Sequence, residues 1–294
     1  MQKNVQATPV YKSAETAAEF RRRYQEFLRL WPVPNQQRAI PTQQGETFVV
    51  ASGPEGAPAV VLLHGTMSNT GSWMREVVTL AQEFRVYAVD IIGDAGLSAP
   101  SRPPLATDAH AQWLGEVLDG LLVPSAALVG TSLGGWVALD FALRQPRRVN
   151  GLALLCPGGV ADKNILWWAL PLLLIGPWGA NKVQERIIGK LAPPATEEAK
   201  QYAALTELAF RGMAPRAESL PTFTDKQLKQ LRMPVLVLLG GRDVTTDARR
   251  IQGRFAQHVP QAEVLLDPKA SHYLGDRSAD IASFLRRIQV AFAA

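Results

Sequence analysis

The chain has 294 residues, 47% of them hydrophobic and 19% charged, and 31 Lys and Arg against 26 Asp and Glu give a formal charge of +5. That length and mixture exclude a wholly disordered chain and a small disulfide-stapled one, and fit one large domain carrying an insertion. The mild, scattered charge argues against a nucleic-acid partner, since even Arg21, Arg22 and Arg23 share their segment with Glu15, Glu19 and Glu26.

Residues 16–31 are predicted as a helix with Phe20, Tyr24, Phe27 and Leu28 on one side, ended by Trp31-Pro32-Val33-Pro34. Residues 46–54 read as a strand running into a turn. Residues 59–65 are a continuously apolar strand, the kind buried on both faces of a parallel sheet. A helix over 72–83, a strand over 84–90, a glycine-bearing loop and a helix over 109–122 follow. The strand at 125–129 runs into Gly130-Thr131-Ser132-Leu133-Gly134, a G-x-S-x-G frame, and Trp136, Leu139 and Leu143 then recur at helical spacing. A serine becomes a nucleophile on such a sharp strand-to-helix turn, with small residues two before and two after it. Further strands are expected at 149–157, 233–243 and 262–268. A closing helix over 280–290 turns Ile281, Phe284, Leu285 and Ile288 inward.

Strand and helix alternate on both sides of an unusual middle. The fold class is therefore α/β, a doubly wound, mostly parallel sheet with helices on both faces. From 158 to 231 the strand pattern stops, and the sequence is helix-like with Pro171, Pro177, Pro193, Pro194, Pro215 and Pro221 as punctuation. The expected organisation is an N-terminal helical extension (1–40), a core (41–157 and 232–294) and an inserted, mainly helical cap (158–231) over the carboxyl ends of the strands. The apolar stretch 165–179 is too short to span a bilayer as a helix, and Pro171 and Pro177 are expected to interrupt it. Cys156 is the only cysteine, so no intrachain disulfide forms. The start lacks an apolar signal-peptide core, which makes the cytoplasm the expected compartment.

With these motifs in place, the chain from about Phe48 onward resembles the α/β-hydrolase superfamily. The match rests on His64-Gly65 after the first buried strand, the turn at Ser132, the aspartate of Gly240-Gly241-Arg242-Asp243 and the histidine of Ser271-His272-Tyr273. The order Ser132, Asp243, His272 is the nucleophile–acid–base order of that fold. The loop from Asp90 to Ser98 looks like the D-x-x-G-x-G-x-S loop of a capped subgroup that includes many esterases. The N-terminal helix and its Trp-Pro-Val-Pro stop are similar to those of bacterial carboxylesterase-like members.

The resemblance implies a serine hydrolase without a cofactor. Ser132 is the candidate nucleophile, His272 its base and Asp243 the carboxylate that orients the histidine. Asp247 is the rival acid, but it sits where an aspartate caps the following helix. Asp267 and Asp276 are weaker candidates. His110 and His258 are expected in helical surface contexts, and His64 beside the oxyanion loop. The candidate oxyanion donors are the amides of Leu133, at a helix start, and of Thr66. Met67 and Trp73, with Trp167, Trp168 and Leu172 of the cap, are candidates for lining the pocket, where core packing is an equal reading. Asp90 is expected to tie down its own loop. No phosphate loop or metal-ligand spacing is present.

The function expected is hydrolysis of carboxylic esters with apolar acyl or alcohol groups, the partner a small ester. The apolar cap is a candidate contact between copies of the chain. The same residues suit a thioester, lactone or C–C bond hydrolase or an acyltransferase. A non-catalytic ligand-binding protein is the reading from another class, to be recognised by a broken set of partners.

Overall fold

The computed structural model describes residues 10–190, 193–214, 216 and 218–293. In chain order, α1 (Ala14–Leu28) precedes the hairpin β1 (Asn35–Thr42) and β2 (Gly45–Ser52). Next come β3 (Ala59–Leu63), a 3-10 turn (Thr70–Trp73) running into α2 (Met74–Leu80), β4 (Arg85–Val89), α3 (Ala109–Gly120), β5 (Ala126–Thr131) and α4 (Leu133–Arg144). After β6 (Val149–Leu155) four helices intervene: α5 (Leu166–Leu173), α6 (Pro177–Ile188), α7 (Glu197–Gly212) and the short α8 (Asp225–Leu228). The sheet resumes with β7 (Val235–Gly240), α9 (Ala248–His258) and β8 (Ala262–Asp267), and α10 (Ser278–Ala293) closes the chain.

The eight strands form one sheet in the order β1-β2-β4-β3-β5-β6-β7-β8. The pairings β1–β2 and β2–β4 are antiparallel, and the pairings from β4 to β8 are parallel. Side chains alternate faces along a strand, and here both faces are covered. Val61 and Leu63, Tyr87 and Val89, and Val235, Val237 and Leu239 pack with Trp113, Trp136 and Phe255. Val60 and Leu62, Val86 and Ala88, and Leu236 and Leu238 pack with Tyr24, Phe27, Leu80 and Phe284. This two-sided burial explains why the strands read as continuous apolar runs.

Three expectations are corrected. Asn35–Thr42 is a strand of the sheet, so 1–40 is not a purely helical extension. It is an exposed edge strand, polar and containing Pro41, which carries little apolar signal. Pro171 lies inside α5 and does not stop it, whereas Pro177 opens α6, the position where a missing N–H costs nothing. His110 and His258 sit on helices but face inward, at 0% and 9% exposure. His110 meets the Trp136 ring edge-on, and burial lowers its pKa to about 4.

The insertion is helical as expected, although Pro215 lies outside the described residues. α7 packs along α1, with a bridge between Tyr11 and Met213. Among the described residues, no helix is long and apolar enough to cross a membrane.

Candidate active site

The turn after β5 is shaped by what glycine permits. Ser132 has φ 53° and ψ −110°, a left-handed conformation that costs a non-glycine residue energy. The surroundings hold it there: its N–H donates to the Leu155 carbonyl at 2.9 Å, and its own carbonyl accepts from Trp136 and Gly158. A Cβ at Gly130 would overlap the backbone of Gly134, and one at Gly134 would overlap the backbone of Leu63 and His64. The two glycines of the frame thus let α4 start directly against the end of β3. The resulting turn leaves the serine partly exposed.

The loop after β3 comes alongside, so a Cβ on Gly65 would lie 3.6 Å from that of Ser132. His64 braces this loop. Its Nε2 accepts from the Ile91 amide at 2.9 Å, and its Nδ1 lies 2.8 Å from the Gly65 carbonyl. Fully buried, it has a pKa lowered to about 4 by desolvation and is therefore neutral, as those two bonds require. The Met67 amide donates to Asp94. The amides of Thr66 and Leu133, by contrast, make no hydrogen bond to another described residue. Both residues line a pocket of about 190 Å³.

Asp243 and His272 meet across the ends of β7 and β8. His272 Nδ1 donates to Asp243 Oδ2 at 2.7 Å, and Thr245 Oγ1 lies 2.8 Å from the same nitrogen. That bond fixes the tautomer with a free lone pair on Nε2, the form a general base needs. Burial alone would raise the Asp243 pKa. The bond and charge of His272 and the hydroxyls of Thr245 and Thr246 outweigh it, and hold the carboxyl well below its usual range. Thr245 donates both its amide and its hydroxyl to Oδ1 at 2.7 Å, and the Thr246 hydroxyl donates to Oδ2 at 2.7 Å. Sequence reasoning missed these two threonines, whose hydroxyls carry no pattern of their own. The insertion reaches this pair from both ends. Lys163 Nζ donates to the Asp243 carbonyl at 2.8 Å, and the Ile187 and Ile188 carbonyls accept from the His272 amide and the Ser271 hydroxyl.

The remaining candidates separate. Asp247 caps α9 through the Arg250 amide, and Asp267 pairs with Arg277. Asp90, buried, accepts from the Thr70 and Leu97 amides and the Tyr24 hydroxyl, which ties its loop to α1. Of the pocket candidates, Met67 lines the cavity with Thr66 and Leu133. Trp73 is buried in the core below, Trp168 packs with Ala169 and Val183, Leu172 flanks that small cluster, and Trp167 is 74% exposed. The hydrogen bonds between described residues do not include one from Ser132 Oγ to His272.

One group among the described residues has metal-ligand proximity: Cys156, Asp243 and His272, with ligand atoms within 4.8 Å of one another. Its chemistry suits proton handling better than a cation. Burial pushes the Cys156 thiol far up, away from the thiolate a metal takes, and the carboxylate oxygens already accept from the threonines and His272.

The profile of the alpha/beta hydrolase family matches residues 60–284. A Bacillus subtilis protein described as uncharacterized carboxylesterase nap is 33% identical over 255 residues, 85% of each chain. Carboxylesterase YbfK of the same organism is 30% identical over 276 residues, 92% of this chain and 93% of the relative. The crystal structure of naproxen esterase from Bacillus subtilis superposes with a TM-score of 0.80 at 30% identity, covering 94% of this chain and 99% of that one. The chain belongs to the alpha/beta hydrolase family.

Proposed function

We propose that the protein hydrolyses carboxylic esters, with Ser132 as nucleophile, His272 as general base and Asp243 as the partner that orients it. The observation that carries this reading is one pocket lined by both Thr66 and Leu133, the residue next to Ser132, whose amides donate to no other described residue. Amides left free beside a strained serine are what a developing oxyanion requires, since donors fixed in advance need no reorganisation as charge appears. The two carboxylesterase relatives support the same chemistry.

His272 Nε2 takes the Ser132 proton as Oγ attacks the ester carbonyl, and the oxyanion lies between Thr66 and Leu133. Collapse expels the alcohol, which leaves with the proton from His272. Water then gives a proton to the same nitrogen and attacks the acyl-enzyme, releasing the acid and restoring the serine. Asp243 stays ionised throughout and offsets the positive charge on the imidazole. Water is the only co-reactant these steps require.

The apolar part of the pocket is Met67, Leu133, Met213, Ala214 and Leu220. In this reading these residues meet the acyl group, since the tryptophans of α5 are not part of this pocket's lining. The test is covalent labelling with a fluorophosphonate followed by peptide mapping. The expected result is one adduct on Ser132 and loss of p-nitrophenyl acetate turnover in Ser132→Ala. A Ser132→Ala protein that turns the ester over like wild type overturns the reading.

A further inference from the structure

The pocket lined by Thr66 and Leu133 is also lined by four charged residues, Arg102, Arg216, Asp94 and Glu218. Arg102 comes from the loop after β4, and Arg216 from the segment between α7 and α8. Arg102 Nη1 and Arg216 Nη2 are buried and have no hydrogen-bond partner among the described residues. The first guanidinium is nonetheless held in place, because Arg102 Nε donates to the Gly93 carbonyl at 2.9 Å.

The acids of the pocket do not close these bonds. Asp94 Oδ1 accepts from the Met67 and Ala95 amides, and Glu218 Oε2 accepts from the Leu105 amide at 3.1 Å. No ion pair joins either arginine to either acid among the described residues. Burial lowers the pKa of both arginines, the charge of Asp94 partly offsets this in each, Glu218 does so for Arg216, and Arg216 lowers that of Arg102. Burial also raises Asp94 to about 6. Two guanidinium groups and two acids therefore line one cavity, with the acids' hydrogen bonds going to backbone amides and one nitrogen of each guanidinium unspent among the described residues. A buried N–H of a charged group is costly to leave unpaired, and a guanidinium fork matches a carboxylate in shape and charge.

We infer that Arg102 and Arg216 form a carboxylate subsite, and that the substrates are monoesters of short dicarboxylic acids. The scissile carbonyl occupies the space at Thr66 and Leu133, and the free carboxylate lies on the two guanidinium groups. The chain between them runs along Met67, Met213 and Leu220. A cavity of about 190 Å³ restricts that chain to a few carbons. The proposal rests on the esterase reading for its chemistry but not for its binding site, so the two are tested apart.

Monomethyl glutarate and neutral dimethyl glutarate are the probes. Wild type is expected to favour the monoanion at least tenfold in kcat/KM. Arg216→Gln and Arg102→Gln each reduce that preference at least tenfold, and Arg216→Lys restores part of it. The second arm is calorimetric binding of monomethyl glutarate to Ser132→Ala, where no turnover is needed. Adding Arg216→Gln is expected to weaken that binding at least tenfold, with circular dichroism confirming the fold. Preference for the neutral diester, a preference unchanged in both glutamine variants, or binding unchanged by Arg216→Gln overturns the subsite. Anion-dependent binding without turnover of either ester by wild type keeps the subsite and overturns the esterase reading.

Discussion

The loops carrying Asp243 and His272 and the outer face of α5 and α6 are joined through the Ile187 and Ile188 carbonyls, yet they treat misplaced residues in opposite ways. The loops bury a carboxylate and answer it with donors: two hydroxyls, two amides and an imidazole converge on Asp243. The outer face exposes apolar side chains and leaves them unanswered, with Trp167 at 74%, Leu174 at 81%, Ile175 at 60% and Trp178 at 59%. A buried charge is costly to leave without hydrogen bonds, whereas an exposed leucine costs little. The contrast predicts strict demands on the first region and permissiveness in the second.

The largest effect is expected at Asp243. Asp243→Asn keeps the volume but removes the charge and alters which partner donates, so His272 loses both its tautomer and its compensation. On the proposed mechanism, a fall in kcat on the order of 10³–10⁴ is expected by analogy with serine triads, measured on a short p-nitrophenyl ester alongside circular dichroism. A variant within tenfold of wild type would show that the convergence on Asp243 is structural.

Next comes the serine turn. Gly134→Ala puts a methyl group into the backbone of Leu63 and His64, which cannot swing aside as a side chain can. Overpacking of this kind is expected to cost about 3 kcal/mol, read by urea unfolding. Gly56→Ala, where a Cβ meets nothing within 4 Å but φ is +81°, separates backbone strain from overpacking and should cost only about 1 kcal/mol.

These sites differ in how visible they were beforehand. The G-x-S-x-G frame, His64-Gly65 and the late Asp243 and His272 are local signals, each bound to the end of an apolar strand. The seven buried or half-buried strands could be read because burial on both faces forces apolar runs. β1 could not, because an exposed edge imposes no such demand. The tryptophans of α5 left lining and packing as equal readings because apolar density alone does not say which way a helix faces: Trp168 packs inward with Ala169 and Val183, while Trp167 and the nearby Leu174 point out. Arg102 and Arg216 are brought to one cavity by segments more than a hundred residues apart, which no local pattern records.

A third test uses a buried carboxylate that lacks the treatment given to Asp243. Glu76 on α2 is 6% exposed, and its Oε2 has no hydrogen-bond partner among the described residues. Burial raises its pKa from 4.5 to about 7. Because the folded value is the higher one, protonation favours the folded state. That contribution is complete below pH 4.5 and disappears as the pH rises through 7. Glu76→Gln does not titrate. Relative to wild type it should therefore gain stability between pH 4 and pH 8, by about 3 kcal/mol. Urea unfolding at the two pH values checks this. A difference that does not change with pH would mean the carboxyl is paired.

The smallest effect belongs to the outer face. Leu174 is 81% exposed, at the C-terminal end of α5, where its side chain contributes little to the small cluster of Trp168, Ala169 and Val183 beneath. If the side chain is solvated in the isolated chain, Leu174→Glu removes almost no buried area, and surface substitutions of this kind stay within about 0.5 kcal/mol. The expected result is unchanged urea unfolding and unchanged kcat/KM on a short ester. The comparison is sharpest here because the same change, a carboxylate introduced or removed, is decisive at Asp243 and nearly silent at 174. A loss above about 2 kcal/mol that grows with protein concentration would reveal a second copy covering this face. Light scattering before and after the substitution would then show the dissociation directly.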